Sequence, residues 1–336
     1  MIKDTFNRVK KLFLLKNIPS MKRLLGIFTA LLLITACDDG DLTVDTIDFS
    51  EVNAQKCSSR DVIYKVKDSE MLILAIPAST FINDETPEGN PIEVNINSTI
   101  QVIYRQYNGT ASQDNICPTI PAATPNLLEE WNATAGTVQI TTTAVKTVNA
   151  TTGITQITGY KHFIVFKDIT FQKPNGTQVY ETYTFGNYTT SVSPLAFGFD
   201  EEAEKSTCDN RIFNFSGSES FVLDLADYST LFQNINTTTP RTALISATNK
   251  VAYRLFTGTV NDAYFCASVT PTTPTMAQEW LANDGITNVS GIIEVSTTTF
   301  GTGFQHTIRL KKVTMTRGNS NFYLGDDYLY GSVITP

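Results

Sequence analysis

The feature that most constrains the fold of this chain is an internal duplication with a period of 149 residues. A gapless shift of 149 matches 16 of the 63 positions between 69 and 131, against about four expected by chance. A repeat of this length is a whole domain and is too long for one unit of a solenoid. We therefore expect two tandem domains with separate cores, over residues 57–200 and 201–336. The matched pairs include Ser69 with Ser218, Tyr104-Arg105 with Tyr253-Arg254, Cys117 with Cys266, Pro125 with Pro274 and Trp131 with Trp280.

Within each repeat the hydrophobic pattern predicts strands. Runs of β-branched and aromatic residues with a period of two are separated by clusters of Gly, Pro, Asn and Asp. About seven such runs per repeat predict an all-β fold, built as two tandem duplicated immunoglobulin-like antiparallel β-sandwich domains. The expected strands cover residues 62–66, 71–76, 92–96, 99–107, 137–145, 162–171 and 179–185 in the first repeat, and 211–215, 221–225, 242–246, 251–256, 292–299, 306–315 and 321–330 in the second.

One short helix is expected in each repeat, over residues 124–131 and 273–280. Thr124 and Thr273 are typical N-caps, and a proline follows each of them at the first helical position. A helix would place Trp131 and Trp280 one turn from an apolar side chain on the same face. We therefore expect both tryptophans to be packed under a helix rather than exposed as platforms for a sugar ring.

The first 36 residues resemble the signal peptide of a bacterial lipoprotein. Met21-Lys22-Arg23 precedes an apolar run, residues 24–34, that is too short to span a bilayer. The following Ile34-Thr35-Ala36-Cys37 resembles the lipobox of that family. The resemblance implies that Cys37 carries palmitate or a similar acyl chain and becomes the mature N-terminus. Residues 1–20 form either an extended charged start or a misplaced translation start, and the latter is favoured.

Residues 37–56 are predicted to be a lipidated acidic tether. Similar acidic segments follow the lipidated Cys of surface lipoproteins in Bacteroidota, which implies an outer-membrane protein exposed at the cell surface. A periplasm-facing anchor is the alternative. Without its signal the chain has 18 basic and 32 acidic residues, so the acyl chains rather than anionic lipids would hold it at the membrane. The acidic residues of the tether are Asp38, Asp39, Asp41, Asp45, Asp48 and Glu51.

The remaining four cysteines are predicted to form two disulfides. Disulfides persist in an envelope compartment, and four cysteines allow three pairings. The duplication favours the pairing within each repeat, Cys57 with Cys117 and Cys208 with Cys266. A thiolate metal site is disfavoured because no His or second Cys lies two to four residues from any of them.

Nothing in the sequence indicates catalysis, a cofactor or a metal. His162 and His306 occupy equivalent strand positions, but no nucleophile or acidic partner recurs beside them, so we expect buried structural residues. Asp326-Asp327 has no acidic counterpart in the first repeat and is expected to be a solvated turn rather than a calcium site. No nucleotide, hydrolase or metalloprotease motif is present. The net charge of −8 argues against a nucleic-acid partner, which requires a basic surface.

The sequence also predicts how two charged pairs and one strand are built. Arg105 and Arg254 recur with Glu70 and Glu219, which suggests an ion pair across strands. In the strand from His162, Ile164 and Phe166 have the opposite parity to Ile169 and Phe171, and Ile308, Leu310, Val313 and Met315 repeat this change. A bulge at Lys167-Asp168 and Lys311-Lys312 would keep all eight apolar side chains, and both histidines, in the core.

Two functions are compatible with these features. The first is a non-enzymatic binding or adhesion module on a lipid anchor, with glycan as a candidate ligand; the layout resembles that of glycan-binding accessory lipoproteins. The alternative is a structural subunit that docks on an envelope protein complex. Candidates for ligand contact are Tyr188, Phe197 and Phe199. An aromatic groove with convergent polar groups would favour the glycan, and an apolar patch ringed by polar residues would favour docking.

Overall fold

The structure is a computed structural model in which residues 46–336 are described, and residues 49–336 form one compact unit. The chain is all-β, as predicted. Within residues 46–336, no helix is both long and apolar enough to cross a membrane. The predicted signal peptide and Cys37 lie outside the described residues.

The first repeat forms one antiparallel sheet of eight strands, with β4 and β5 pairing with different parts of the long β6. Apart from β4, the strands follow the order β1-β2-β3-β5-β6-β7-β8. The strands are β1 (Gln55–Lys56), β2 (Val62–Lys67), β3 (Glu70–Ala75), β4 (Ile92–Asn95), β5 (Gln101–Tyr107), β6 (Leu127–Val148), β7 (Thr155–Lys173) and β8 (Gly176–Ser191).

The second repeat divides the equivalent strands between two sheets whose inner faces share one core. The seven-stranded sheet has the order β18-β17-β14-β13-β11-β10-β9, and the four-stranded sheet has the order β12-β15-β16-β19. The strands are β9 (Glu204–Lys205), β10 (Ile212–Ser216), β11 (Glu219–Leu225), β12 (Arg241–Leu244), β13 (Asn249–Phe256), β14 (Met276–Ala282), β15 (Ile292–Phe300), β16 (Gly303–Lys311), β17 (Thr314–Arg317), β18 (Ser320–Tyr323) and β19 (Tyr328–Thr335).

The two repeats place the same elements at the same sequence spacing. β1 and β4 recur as β9 and β12 at a shift of 149, and the order β1-β2-β3-β5-β6 recurs as β9-β10-β11-β13-β14. The sheets differ because β6, β7 and β8 run without a break, whereas their equivalents are interrupted after Ala282, Lys311 and Tyr323. One sheet in the first repeat therefore corresponds to two sheets in the second.

The expected helices over residues 124–131 and 273–280 are wrong. The Thr-Pro bonds at Pro125 and Pro274 are cis, and the strands β6 and β14 begin two residues after each proline. Trp131 pairs directly with Tyr104 of β5, and Trp280 pairs with Tyr253 of β13. Pairing with an existing strand has overridden a local capping pattern that is correct in its residue types. The described helices are α1 (Tyr228–Leu231) and α2 (Asp262–Cys266), with 3₁₀ turns at Ala78–Thr80 and Gln113–Asn115.

The predicted bulge in β7 is confirmed. Asp168 and its equivalent Lys312 both have a positive φ, 49° and 51°. In the pairing of β7 with β6, Lys167 faces Thr137 and Thr170 faces Ala135, so three steps along β7 match two steps along β6 and β7 has one extra residue there. The eight apolar side chains on either side of the two bulges are all at most 1% exposed, while Asp168 and Lys312 are exposed.

The cores of the two repeats are not wholly separate. One buried cluster lies within the first repeat, between Cys57 and Cys117. The cluster that forms the core of the second repeat also contains Ile157 and Tyr160 of β7. The end of the first repeat, after β8, packs on the same cluster through Leu195, Phe197 and Phe199. Each repeat has its own disulfide, Cys57–Cys117 and Cys208–Cys266, as predicted.

Candidate functional site

A cleft of about 400 Å³ lies where the first repeat meets the second. Its volume falls in the range of small-ligand pockets, about 300–1,000 Å³. One wall comes from the ends of β6 and β7, a second from residues 192–197, and a third from β14, β17 and β18 with the loop after them. The lining residues are Asn83, Thr147, Asn149, Ile154, Thr155, Gln156, Ile157, Tyr160, Val192, Ser193, Leu195, Phe197, Gln278, Trp280, Arg317, Phe322, Leu324 and Tyr328.

Aromatic side chains form the floor of the cleft. Trp280 is 3% exposed, packs edge to face on Phe322 with ring centroids 4.9 Å apart, and carries the Arg317 guanidinium 4.9 Å from its ring centroid. Phe197 and Tyr328 are half-buried and line the cleft. Burial, followed by the charge of Glu219, raises the pKa of Tyr328 to about 12, so its hydroxyl stays protonated at neutral pH.

The wall at residues 196–198 is held by one buried carboxylate. Glu219 is 5% exposed and accepts hydrogen bonds from the backbone N–H groups of Ala196 (3.1 Å), Phe197 (3.3 Å) and Gly198 (3.4 Å). It also accepts a hydrogen bond from the Tyr253 hydroxyl, whose pKa is raised by burial and then by this carboxylate. Phe197 stacks on the Tyr253 ring at 4.6 Å. The wall is therefore anchored both by hydrogen bonds and by ring stacking.

The first and second repeats are joined beside the cleft through Asp84. Its carboxylate accepts hydrogen bonds from the backbone N–H groups of Asn319 (3.1 Å) and Ser320 (2.9 Å) and from the Ser320 hydroxyl (2.6 Å). The same Ser320 hydroxyl lies 3.3 Å from the Tyr160 hydroxyl and 3.0 Å from the backbone nitrogen of Glu85. The turn after β17 is thus bound to the first repeat by charge-assisted hydrogen bonds.

Each predicted core histidine is fully buried and lies between two threonines. His162 Nδ1 is 2.9 Å from Thr142 Oγ1, and its Nε2 is 3.1 Å from Thr190 Oγ1. His306 has the same arrangement with Thr297 and Thr335, at 2.9 Å for both nitrogens. A neutral imidazole is satisfied by one donor and one acceptor, and a threonine hydroxyl can be either. We call each set of one His and two Thr a histidine clamp.

The histidine clamps favour the neutral imidazole. Burial lowers the pKa of His162 to about 4, and burial followed by the charge of Arg241 lowers the pKa of His306. Neither histidine lines the cleft, and among residues 46–336 no group of three or more His, Cys, Asp or Glu side chains could hold a metal ion. The geometry is that of a structural core group.

The structure brings only one of the three ligand candidates to the cleft. Phe197 lines it. Phe199 stacks on Phe221 in the core of the second repeat, with ring centroids 5.6 Å apart. Tyr188 lies on β8 and packs edge to face on Phe81 at 4.9 Å. The cleft therefore joins Phe197 to Trp280, which the sequence pattern assigns to core packing alone.

The predicted ion pair between Arg105 and Glu70 is wrong, because the two residues lie at neighbouring positions that face opposite sides of the sheet. Arg105 pairs instead with Glu130, directly opposite on β6, at 2.7 Å. Arg254 forms the same 2.7 Å pair with Glu279. Directly opposite residues of paired strands share a face, so this is the pairing that strand geometry favours.

The solvated turn predicted at Asp326-Asp327 carries specific contacts. Asp327 pairs with Arg309 at 2.9 Å and with Lys311 at 3.0 Å, and both cations lower its pKa against the effect of burial. Asp326 accepts a hydrogen bond of 2.5 Å from the Tyr323 hydroxyl.

A second repeated pattern, with a shift of 151, marks the outer partners of the histidine clamps. Phe81, Asn83 and Thr86 recur as Phe232, Asn234 and Thr237. The Phe rings pack edge to face on the histidines, the Asn oxygens accept from the outer threonines, and Thr86 and Thr237 hydrogen-bond the backbone of the inner ones. A gapless alignment of the chain with itself at a shift of 149 misses this pattern, because these residues align only at a shift of 151.

Comparison with known proteins adds no relative to this description. No family model, no curated protein and no solved structure matches the chain.

Proposed function

We propose that this chain is a lipid-anchored, non-enzymatic surface protein that binds a saccharide in the cleft between its two repeats. The observation that carries this proposal is the lining of the cleft, in which half-buried aromatic rings stand beside amide and hydroxyl groups. A sugar ring has an apolar C–H face and a rim of hydroxyl groups. Such a ligand matches an apolar floor with a few placed polar groups.

The polar groups that line the cleft are able to form hydrogen bonds with the hydroxyl groups of a sugar. Asn83, Asn149, Gln156 and Gln278 supply amides from both repeats. Several of them are already oriented by the protein; for example, the Asn149 side-chain oxygen accepts from the backbone of Thr151 at 2.9 Å. A pre-oriented amide loses less freedom when it binds a ligand, which favours affinity.

A bulky side chain at an exposed lining position tests the cleft directly. Ser193 is exposed and lines the cleft, whereas Ser191, two residues earlier, is exposed and does not line it. Ser193→Trp should reduce binding to the preferred ligand of a glycan array at least tenfold, and Ser191→Trp should leave it unchanged. Equal binding by both variants would place the saccharide elsewhere and contradict this proposal.

The lipid anchor is the second part of the proposal and rests on the lipobox-like Ile34-Thr35-Ala36-Cys37. Metabolic labelling with a palmitate analogue should mark the wild-type protein, and Cys37→Ala should abolish the label. Protease shaving of intact cells should then remove the labelled protein if it is exposed outside the outer membrane. A labelled Cys37→Ala variant would contradict the anchor.

One observation favours the alternative of docking on an envelope protein complex. β8 is 16 residues long and lies at the edge of its sheet, paired with β7 on one side and with no second strand of the described chain on the other. The equivalent edge at β19 is bridged by Glu202 at Ser332. A free edge strand can accept a strand from a partner. Recovery of one stoichiometric envelope protein with the intact lipoprotein, lost on substitution of alternate β8 residues by proline, would support docking.

A further inference from the structure

The charged groups that line the cleft indicate which class of saccharide it would favour. Arg317 is the only charged side chain among its 18 lining residues, all of which the structure describes. No Asp or Glu lines the cleft, although the chain as a whole has a net charge of −8. A single cation in a carboxylate-free cleft of an acidic protein complements an anionic ligand.

Arg317 is held in place but is not neutralised by an ion pair. Its guanidinium lies over the Trp280 ring, and one terminal nitrogen donates to the backbone oxygen of Asn83 at 3.1 Å. Arginine has five N–H donors, so this contact leaves most of them available. No carboxylate within residues 46–336 forms an ion pair with it; the neighbouring Asp84 is occupied by the turn at Asn319 and Ser320.

A second donor stands beside the guanidinium. The Gln278 side-chain oxygen accepts a hydrogen bond from Trp280 Nε1 at 3.1 Å. Fixing this oxygen determines the orientation of the amide and leaves its nitrogen as a donor. Arg317 and Gln278 thus place donors beside the same indole ring, where acceptor oxygens of a ligand are favoured.

The equivalent position in the first repeat shows that this arrangement is specific to the second. Lys173 lies over the Trp131 ring at 4.2 Å, and the equivalent of Gln278 is Glu129. Lysine and glutamate at these positions would provide a point charge next to a carboxylate. Arginine and glutamine provide a planar, bidentate donor set without an anion.

We propose that the saccharide bound in the cleft carries a carboxylate, as a uronic acid does, and that this carboxylate pairs with the Arg317 guanidinium. The sugar ring then lies on the half-buried aromatic floor at Phe197 and Tyr328. This inference rests on the proposed function of the cleft and names the chemical class of its ligand.

Two matched ligands test it by isothermal titration calorimetry with the mature chain. Methyl glucuronide and methyl glucoside share a ring and differ only in the carboxylate. A charge-assisted hydrogen-bonded pair should make the glucuronide bind about tenfold or more tightly. Arg317→Gln should remove that preference and keep the weaker binding of the glucoside.

Two further variants separate the ion pair from folding and from net charge. Arg317→Lys copies the cation found over Trp131 in the first repeat, so it should fold and keep part of the preference. Arg309→Gln changes the net charge by the same amount at a site that pairs with Asp327 outside the cleft, and it should keep the whole preference.

The failures of the inference and of the proposed function are distinguishable. Glucoside that binds as tightly as glucuronide, with both lost in Ser193→Trp, would overturn the anionic ligand and retain a saccharide site. A glucuronide preference that survives in Arg317→Gln would overturn the role of Arg317. Failure of both sugars to bind would overturn the inference together with the function on which it rests.

Discussion

At the scale of single residues, we expect the two buried histidines to make the fold sensitive to acid. Each is 0% exposed and is satisfied as a neutral ring by two threonine hydroxyls. The Thr190 hydroxyl donates a hydrogen bond to Asn83 Oδ1, so its oxygen is oriented to accept a hydrogen bond from His162 Nε2–H. The Thr142 hydroxyl then donates a hydrogen bond to His162 Nδ1. A second ring proton would remove the acceptor that Thr142 requires, in a site from which water is excluded.

We expect the free energy of unfolding to fall as the pH falls from about 6.5 towards 4. The folded pKa of His162, about 4, lies below the value of about 6.5 for an unfolded histidine, so the unfolded chain takes up the proton first. Stability is unaffected by this group above pH 6.5, and about 2 kcal/mol should be lost by pH 4.5, since one pKa unit corresponds to about 1.4 kcal/mol. Urea denaturation at a series of pH values measures this slope.

The control replaces both histidines by glutamine, which can hydrogen-bond both threonines but does not titrate. The variant should be less stable at pH 7 and should have a flatter dependence on pH through the acid range. An unchanged slope would assign the acid sensitivity to carboxylates instead.

At the scale of elements, the alternation of apolar residues predicted secondary structure better than the helix-capping residues did. The change of parity between Phe166 and Ile169 predicted the bulge, because one unpaired residue is the smallest change that returns both sets to the core. The Thr-Pro pattern at 124–125 predicted a helix over residues 124–131. Residues 127–131 pair with β5 instead, and the Trp131 ring lies 4.6 Å from the Tyr104 ring. A local sequence pattern gives no information about pairing with a strand that lies elsewhere in the chain.

A glycine opposite the bulge should be required for its geometry. Gly136 has φ of 124°, and a Cβ there would lie 2.7 Å from the Ile169 Cα. We expect Gly136→Ala to lower the free energy of unfolding by about 3 kcal/mol, from backbone strain together with the clash. Chemical denaturation measures this loss.

Gly176 provides the matched control for that substitution. It has a similar φ of 132°, and no atom would lie within 4 Å of a Cβ added there. Gly176→Ala therefore carries the backbone cost alone and should lose clearly less stability. Equal losses for the two variants would show that the bulge tolerates a side chain at position 136.

At the scale of the whole molecule, the two repeats are joined into one compact unit. The shared core at Ile157 and Tyr160, the wall held by Glu219 and the turn bound by Asp84 all cross from one repeat to the other. The duplication could be found in the sequence, but the junction could not. Residues such as Gln156 and Gln278 are 122 positions apart and belong to different strands in different repeats, and no periodic pattern within a repeat encodes what its outer surface will meet.

Because of this junction, we expect a single cooperative thermal transition for the wild-type chain. Asp84→Ala leaves the N–H groups of Asn319 and Ser320 without their acceptor, and it should cost about 2 kcal/mol and broaden or split the transition in calorimetry. Gly318→Ala disrupts the same contact from the other side, since its Cβ would lie 2.1 Å from Asp84 Oδ2.

The two substitutions form a double-mutant cycle. If they act on one contact, their combined effect should be clearly smaller than the sum of the single effects. Additive effects would show that the turn is held independently of Asp84.

The position of the cleft has a consequence for the ancestry of the site. A protein with one copy of the repeat could possess a histidine clamp, a disulfide and a bulged strand, because each of these is complete within a copy. It could not possess the cleft, whose walls come from two different copies. Gln278 and Arg317 line the cleft, whereas their counterparts Glu129 and Lys173 do not. A search for distant single-copy relatives should therefore use the residues of the histidine clamps and not those of the cleft.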